Sequence, residues 1–131
     1  MISTKGRYAL RVMLDLAEHG GDDYVPLKDV AERQEISKKY LEIIVRDLVK
    51  ADFVKGTSGK GGGYTLCRAP EEYTVGEIIE AAEGPLVPVA CLAEGAKECP
   101  RAFKCKTLSL WAEFGKMTHD YFFSKKLSDL L

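Results

Sequence analysis

The stretch that decides the fold lies between residues 25 and 66 and has the sequence VPLKDVAERQEISKKYLEIIVRDLVKADFVKGTSGKGGGYTL. Its first part predicts a short helix over residues 25–33, with Pro26 near the first turn, where a missing N–H removes no helical hydrogen bond. Residues 34–36 predict a tight turn, and the hydroxyl of Ser37 is suited to cap a second helix. Two short helices joined by a turn of about three residues are typical of a helix-turn-helix.

The second of these helices has an apolar side and a polar side. Four apolar residues recur at the spacing of one helix face, and we expect them to be buried: Leu41, Ile44, Val45 and Leu48. In a helix-turn-helix the exposed side of this helix enters the major groove of DNA, with its N-terminal residues nearest the bases. We therefore predict a DNA-binding surface that consists of Ser37, Lys38, Lys39, Tyr40, Glu42, Ile43 and Arg46.

The residue types on this surface suit different parts of a DNA duplex. Lys38 and Lys39 can contact phosphate or guanine, and Tyr40 can donate a hydrogen bond to a phosphate. Glu42 can accept a hydrogen bond from N4 of cytosine, and Ile43 can contact the methyl group of thymine. The alternative for each residue taken singly is an ordinary solvated position.

A β-hairpin is predicted directly after the helix-turn-helix. Residues 53–56 and 63–66 have the composition of two short strands, and a glycine-rich turn over residues 57–62 separates them. A hairpin in this place is a wing, and we expect its tip to reach a neighbouring minor groove through Ser58, Gly59 and Lys60. The alternative for the glycines at 61–63 is a flexible linker.

Helices are also predicted on both sides of this unit. Before it, Ser3 or Thr4 can cap a helix that ends at residues 19–21. The apolar face of that helix consists of Ala9, Val12, Met13, Leu16 and Ala17. After the hairpin, Thr74 and Glu77 have the spacing of a capping box, and the helix that they open ends before Gly84 and Pro85. We therefore expect a mainly α fold with a small β-hairpin wing, in which residues 1–84 form a winged helix-turn-helix domain.

A last helix is predicted from about Thr107 onward. Its apolar residues form a broad and partly aromatic stripe: Leu110, Trp111, Phe114, Met117 and Tyr121. A domain of this size has little core left for such a stripe to cover, so we expect residues 107–131 to form a dimerisation helix and a C-terminal tail. The alternative is a helix that folds back on the N-terminal domain.

Three cysteines lie close together in a segment without periodicity. Cys91, Cys99 and Cys105 fall within residues 85–106, which we interpret as a sensor loop. Clustered thiolates can hold an iron–sulfur cluster or zinc, or can act as a thiol redox switch without metal. Cys67 stands apart beside a predicted strand, and we expect it to be a small core residue.

Length, charge and residue content favour a DNA-binding protein in the cytoplasm over a membrane protein or an enzyme. The chain has 131 residues, a net charge of −1 and no apolar run of the length that spans a bilayer, and we expect a cytoplasmic protein. Residues 37–68 include seven basic and three acidic side chains, and this local charge of +4 suits a nucleic-acid partner. His19 and His119 are the only histidines, and no Cys–His pair for nucleophilic catalysis is evident, so we do not expect an enzyme.

Several motifs, in their order along the chain, resemble one family of bacterial regulators. They are STKGRYA at residues 3–9, YLE at 40–42, GGGY at 61–64 and VGEII at 75–79. This set resembles the IscR, NsrR and CymR family of winged-helix transcription regulators over nearly the whole chain. The resemblance implies a homodimer whose long helices cross-pair and which binds double-stranded promoter DNA at a pseudo-palindromic site.

In the iron–sulfur members of this family, three cysteines in the loop before the long helix bind the cluster. The resemblance therefore implies that Cys91, Cys99 and Cys105 are cluster ligands, with 2Fe–2S favoured over 4Fe–4S and with loss of the cluster expected in air. Members similar to CymR lack these cysteines and respond to a protein partner. A regulator without a cluster, controlled by a partner, by thiol oxidation or by zinc, is thus the alternative.

The chain departs from the family pattern at several positions. Leu108 stands where IscR-like members have a histidine ligand, and Tyr8 stands where NsrR-like members have an aspartate ligand. The fourth ligand is therefore unassigned, and the candidates are Glu94, Glu98, His119 or a group from a second subunit. In the wing, Ser58 and Lys60 replace an arginine and a proline, so the family's target preference is not transferred to this chain.

Overall fold

The computed structural model of the chain describes residues 2–21, 23–92, 95, 97 and 101–131. Within these residues the chain forms five α-helices and one two-stranded antiparallel sheet. The elements are α1 (Thr4–His19), α2 (Leu27–Gln34), α3 (Lys38–Lys50), β1 (Val54–Thr57), β2 (Gly63–Leu66), α4 (Val75–Glu83) and α5 (Leu108–Ser124). The prediction of a mainly helical fold with a small hairpin is confirmed.

Helix α1 lies at the centre of the core. It packs against α2, α3 and α4, and its buried apolar residues are Ala9, Val12, Met13 and Leu16. The hydroxyl of Ser3 accepts a hydrogen bond from the N–H of Lys5 at 3.2 Å and caps the helix. The apolar periodicity and the cap therefore predict this helix correctly.

Helices α2 and α3 form the helix-turn-helix. Between them Glu35 has a φ of 55°, a left-handed conformation that ends α2 and reverses the chain. The hydroxyl of Ser37 accepts a hydrogen bond from the N–H of Tyr40 at 3.2 Å, so α3 begins at the expected cap. The predicted apolar face of α3 is buried in full: Leu41, Ile44, Val45 and Leu48.

The hairpin is attached to the chain segment before α2. Helix α2 begins at Leu27, two residues later than predicted, because Val25 forms an antiparallel bridge with Tyr64 of β2. The N–H of Val25 donates to the carbonyl oxygen of Tyr64 at 2.8 Å, and the N–H of Tyr64 donates to that of Val25 at 2.9 Å. These two bonds fix the hairpin relative to the start of α2.

Gly63 permits this close approach of two backbone segments. Its φ is 152°, and a Cβ atom built on it would collide with the carbonyl group of Val25. Gly63 is also the first residue of β2 and pairs with Thr57 of β1. The predicted hairpin is therefore confirmed, and the alternative of a flexible linker at residues 61–63 is excluded.

Helix α4 joins the N-terminal core to the end of the chain. The capping box is present, since the N–H of Glu77 donates to Oγ1 of Thr74 at 3.1 Å and the N–H of Thr74 donates to Oε2 of Glu77 at 3.0 Å. Just before α4, the carbonyl oxygen of Tyr73 accepts a hydrogen bond from the N–H of Leu127 at 3.0 Å. Leu127, which lies in the predicted dimerisation segment, is thus buried in the core with α1 and α3.

The segment between α4 and α5 bears the clustered cysteines. Its described part includes two short 3₁₀ turns, Ala90–Leu92 and Ala102–Lys104. Helix α5 passes close to this segment at Gly115. A Cβ atom built on Gly115 would lie only 2.9 Å from Cδ of Pro88. In the ranges that the structure describes, no helix is long and apolar enough to cross a membrane.

Candidate DNA-binding surface and cysteine segment

Helix α3 exposes the side that the sequence predicts. Ser37, Lys38, Lys39, Glu42, Ile43 and Arg46 are all exposed. Ile43 is 41 % exposed although it is apolar and β-branched, so its side chain is available to a partner. Among the described residues, none of the four charged side chains of this set forms an ion pair. Their charges therefore remain available to phosphates and base edges.

Tyr40 is positioned differently from its neighbours on α3. It is half-buried, and its ring meets the ring of Tyr8 edge to face with centroids 5.8 Å apart. The guanidinium of Arg11 lies over the ring of Tyr8, 5.0 Å from its centroid. Tyr40 thus lies at the boundary between the core and the exposed side, which agrees with its predicted place between two helix faces.

The tip of the hairpin is fully exposed. Ser58, Gly59 and Lys60 have exposed side chains or backbone, and Gly59 has a φ of 88° that favours glycine. The N–H of Gly62 donates to the carbonyl oxygen of Gly59 at 2.9 Å and closes the turn. The loop therefore presents Lys60 on a short, hydrogen-bonded turn.

A groove lies between α3 and the hairpin. Its lining brings Glu42 and Arg46 together with residues that the sequence analysis missed, namely Leu27, Val49, Lys50 and Tyr64. Lys50 follows Arg46 by four residues and is therefore on the same side of α3. That spacing was available in the sequence, whereas the part of Tyr64 in the groove depends on the non-local pairing with Val25.

An ion pair fixes α3 against the start of α1. Nζ of Lys5 lies 2.6 Å from Oδ2 of Asp47. This oxygen is buried and accepts no hydrogen bond of ordinary geometry from the described residues, so the ammonium group of Lys5 compensates its charge. Asp47 directly follows Arg46, and its position therefore affects where the exposed side of α3 lies.

A buried carboxylate links α1 to α2. Asp15 is 1 % exposed, and its two oxygens accept hydrogen bonds from Arg33 at 3.0 and 2.7 Å and from Gln34 at 3.0 Å. Burial raises the pKa of Asp15, but the hydrogen bonds from Arg33 and Gln34 and the charge of Arg33 outweigh burial, so its pKa lies below the ordinary value. Local sequence patterns do not predict this network, because Arg33 and Gln34 lie 18 and 19 residues from Asp15 in the chain.

The cysteine segment, which is the chain between α4 and α5 (residues 84–107), is described in part. Cys91 is exposed and Cys105 is half-exposed, whereas Cys99 lies outside the described residues. Sγ of Cys105 lies 3.5 Å from Oγ1 of Thr107. Hydrogen bonds from the hydroxyl and the N–H of Thr107, together with the charge of Arg101, hold the pKa of the Cys105 thiol below its ordinary value. This environment favours the thiolate, which is the form that binds metals.

Thiolates are the ligands that an iron–sulfur cluster takes, but of the three candidate ligands only Cys91 and Cys105 lie among the described residues. Within the ranges covered by the structure, no three His, Cys, Asp or Glu side chains come together as a metal site. Leu108 offers no donor atom, and Glu94 and Glu98 lie outside the described residues. His119 is 11 residues beyond Leu108 on α5, roughly 17 Å along the helix axis, and its Nδ1 lies 3.6 Å from Oδ1 of Asp120. His119 is therefore not a ligand next to Cys105 within one subunit.

Cys67 does not lie in the core. The structure shows an exposed thiol, so the prediction of a small core residue is wrong. The reason is that β2 ends at Leu66, and the alternation that buries Thr65 does not continue to residue 67. The N–H of Cys67 instead donates to the carbonyl oxygen of Phe53 and to Oη of Tyr73, both at 3.1 Å.

The apolar stripe of α5 faces away from the rest of the chain. Its five residues, Leu110, Trp111, Phe114, Met117 and Tyr121, are between 38 and 64 % exposed. The opposite side of the helix, with Ala112, Gly115 and His119, faces residues 86–92. The stripe therefore does not fold back on the N-terminal domain, although the C-terminal end of α5 packs against α4 through Phe123 and Gly76.

The helix-turn-helix, the hairpin wing and the exposed, charged side of α3 define a winged-helix protein of the class that regulates transcription. A family model described as "Rrf2: Iron-dependent Transcriptional regulator" matches residues 2–131. The protein named rrf2 of Nitratidesulfovibrio vulgaris is 39 % identical over 130 residues, which cover 99 % of this chain and 86 % of that protein. The chain therefore belongs to the Rrf2 family of transcriptional regulators.

Two solved structures have the same fold. CymR, the global cysteine regulator of B. subtilis, matches with a TM-score of 0.78 and 36 % identity, and the match covers 99 % of this chain and 95 % of that one. IscR of T. potens matches with a TM-score of 0.75 and 36 % identity, covering 99 % and 85 %. These relatives are transcription regulators and not enzymes. The resemblance inferred from the sequence is thereby confirmed at the level of the family.

Proposed function

We propose that this regulator binds promoter DNA as a homodimer through the exposed side of α3 and the tip of the hairpin. The observation that supports the proposal best is the charged side of α3, where Lys38, Lys39, Glu42 and Arg46 form no ion pair with any residue that the structure describes, next to an exposed wing with Lys60. Lysines at the N-terminal end of α3 would neutralise phosphates or contact guanine, and Lys60 would add charge at the minor groove.

The residues on α3 have separate roles in this proposal. Ser37, Tyr40 and Arg46 would position the helix on the phosphate backbone, which supplies affinity without sequence preference. Glu42 and Ile43 would contact base edges, where an unpaired carboxylate opposes a wrong base and an apolar side chain favours thymine. Ser58 and Gly59 would allow the wing to approach the sugar-phosphate chain closely.

The proposal is tested with two matched pairs of lysines. Lys38→Ala/Lys39→Ala, alone or with Lys60→Ala, should weaken binding to a DNA fragment selected by the wild-type protein from a random-sequence library. It should also reduce the slope of log affinity against log salt by roughly 0.9 for each phosphate that is no longer neutralised. The control is Lys125→Ala/Lys126→Ala, which removes two exposed charges beyond α5. Equal effects of both pairs would assign DNA binding to another surface.

We further propose that Cys91, Cys99 and Cys105 hold an iron–sulfur cluster, 2Fe–2S rather than 4Fe–4S. Support comes from three thiols in one segment and from the environment of Cys105, where the nearby Thr107 and Arg101 favour the thiolate. Such a cluster, when bound, supplies a redox-active and oxygen-sensitive group. The chain's own residues would supply the thiolates and the basic surroundings.

Purification without oxygen tests the cluster directly. The wild-type protein and Cys67→Ala should contain iron and sulfide and should be brown, whereas Cys91→Ala/Cys99→Ala/Cys105→Ala should be colourless. A wild-type protein that has no iron or sulfide even after reconstitution would contradict the proposal. Zinc in its place would support a structural metal site.

The lowered pKa of the Cys105 thiol, which hydrogen bonds from Thr107 cause, also favours a second candidate, regulation by thiol oxidation without a metal. In that case the DNA affinity of the metal-free protein would change on treatment with peroxide, and a reductant would reverse the change. A metal-free protein insensitive to peroxide would leave a protein partner as the signal, and that partner would be recovered from lysate with wild-type protein and with the triple cysteine variant alike.

A further inference from the structure

The last residue of α4 caps the first turn of α1. The carboxylate of Glu83 accepts hydrogen bonds from the hydroxyl of Ser3 at 2.5 Å, from the N–H of Gly6 at 3.2 Å and from the N–H of Ser3. Gly6 is needed for this approach, because a Cβ atom on it would lie 2.7 Å from Cγ of Glu83. Three donors of one helix terminus therefore converge on a side chain that lies 77 to 80 residues away in the sequence.

The cysteine segment begins directly after Glu83. Gly84 turns the chain with a φ of 87°, and Leu86 is buried with Val75 and Ile79 of α4. Ile2, just before α1, packs against the same small cluster. Residues 85–87 therefore adjoin both the carboxylate that caps the first turn of α1 and the apolar cluster beside that turn.

The same turn of α1 contacts α3. Lys5 lies between Ser3 and Gly6 and pairs with Asp47 of α3 at 2.6 Å. The contacts from the cysteine segment to α3 are thus continuous: Glu83 binds the backbone around Lys5, and Lys5 compensates the buried oxygen of Asp47. A continuous chain of hydrogen bonds and ion pairs of this kind is a route by which a displacement of one element can reach another.

We propose that Glu83 is a positioning residue that couples the cysteine segment to the DNA-facing helix α3 through the first turn of α1. The inference rests on the proposed DNA-binding role of α3. When the hydrogen bonds to Glu83 break, the first turn of α1 is released, the Lys5–Asp47 pair loosens, and α3 is no longer held in one position. The state of the cysteine segment thereby changes DNA affinity without any contact between the cysteines and DNA.

Hydrogen exchange of the full-length protein tests the coupling without DNA. Glu83→Gln should speed exchange of amides in the first turn of α1 and around Asp47 in α3, by about fivefold, while α2 and the hairpin keep their rates. In an Asp47→Asn background, Glu83→Gln should still speed exchange in α1 but should leave α3 unchanged. Glu77→Gln, which alters the equivalent carboxylate at the start of α4, is the control and should leave α3 unchanged.

DNA affinity provides the second readout, measured by fluorescence anisotropy on the fragment selected by the wild-type protein. The effects of Glu83→Gln and Asp47→Asn should be non-additive by about threefold or more, whereas Glu77→Gln and Asp47→Asn should be additive.

If Glu83→Gln does not fold, Gly6→Ala displaces the carboxylate from the other side and should give the same pattern. Uniform acceleration of exchange throughout the protein, or additive effects on affinity, would overturn the coupling. Absence of any DNA binding by the wild-type protein would instead refute the proposed function, and the exchange pattern would still decide the coupling.

Discussion

Oη of Tyr73 lies 2.6 Å from the carbonyl oxygen of Phe53, and the rings of the two residues meet edge to face with centroids 5.6 Å apart. The same hydroxyl accepts hydrogen bonds from the N–H groups of Cys67 and Arg68 at 3.1 and 3.0 Å. Tyr73 is fully buried, so its hydroxyl takes the place of water as the hydrogen-bond partner of backbone groups just before β1 and just after β2. One side chain before α4 therefore holds the base of the wing.

Removal of this hydroxyl tests its contribution to stability. Tyr73→Phe should lower the free energy of unfolding by about 1–3 kcal/mol, because the N–H of Arg68 loses its acceptor and the carbonyl oxygen of Phe53 keeps only the hydrogen bond from Cys67, while the ring still packs. Urea denaturation with an unchanged m-value would measure the loss. Tyr24→Phe is the control, since the hydroxyl of Tyr24 makes no hydrogen bond to any residue that the structure describes. An equal loss in both variants would contradict the role assigned to Tyr73.

The buried side of α3 can be predicted from the sequence, whereas the pairing of Val25 with Tyr64 cannot, and both outcomes have one physical cause. The buried side of α3 follows from local periodicity, and its complement, the exposed candidate site, follows with it. The bridge between Val25 and Tyr64 joins residues far apart in the chain, and no local preference of either residue specifies that partner. The direction of the wing, and the groove beside Lys50, therefore could not be derived from the sequence.

Buried polar residues and chain ends show the same limit. Asp15 lies beside Leu16 on the buried side of α1, where an apolar residue is the usual choice, and only the position of Arg33 in space explains it. Leu127 belongs to no periodic apolar pattern that would predict its burial. Its side chain nevertheless lies in the core, and its N–H donates to the carbonyl oxygen of Tyr73. The apolar periodicity within one helix predicts that helix. Contacts between helices can be identified only once the three-dimensional fold is known.

The Asp15 network predicts a stability that depends on pH. The pKa of Asp15 is lowered in the folded protein, so its contribution is present above the unfolded pKa of about 3.9 and is lost as the pH falls through the folded value. Asp15→Asn should therefore cost about 1–3 kcal/mol at neutral pH, and the difference from wild type should shrink below about pH 4. Denaturation from pH 7 to pH 3 measures this, with the exposed Asp23→Asn as the control. A difference that is constant over this range would contradict the assignment.

Gly63 provides a test of the wing. Gly63→Ala should destabilise the protein by about 2–4 kcal/mol, because the new methyl group collides with the carbonyl oxygen of Val25 at a strained φ. Gly61 has a φ of 79° but open space where a Cβ atom would lie, and Gly61→Ala should cost only about 1 kcal/mol. Thermal denaturation compares the two variants. Equal costs would show that the Val25–Tyr64 bridge does not constrain this position.

The exposed stripe of α5 predicts that the chain assembles in pairs. Met117 lies in the middle of the stripe and is 64 % exposed, and Phe114 beside it is 47 % exposed, which leaves a contiguous apolar surface in a single chain. Met117→Glu should place a charge in the dimer interface and raise the dissociation constant of the dimer at least about tenfold, because an unpaired buried charge opposes association.

Ser109→Glu is the matched control for this variant. It adds the same charge on the same helix, roughly 100° around the axis from the stripe, at an exposed position. Sedimentation equilibrium should show a wild-type dimer, a dimer of Ser109→Glu and a monomer of Met117→Glu that keeps its helical circular dichroism. Because the proposed homodimer would place two winged domains on DNA at once, the Met117→Glu monomer should also bind DNA more weakly, although none of the residues proposed to contact DNA has changed. A wild-type protein that is monomeric at micromolar concentration would refute both expectations.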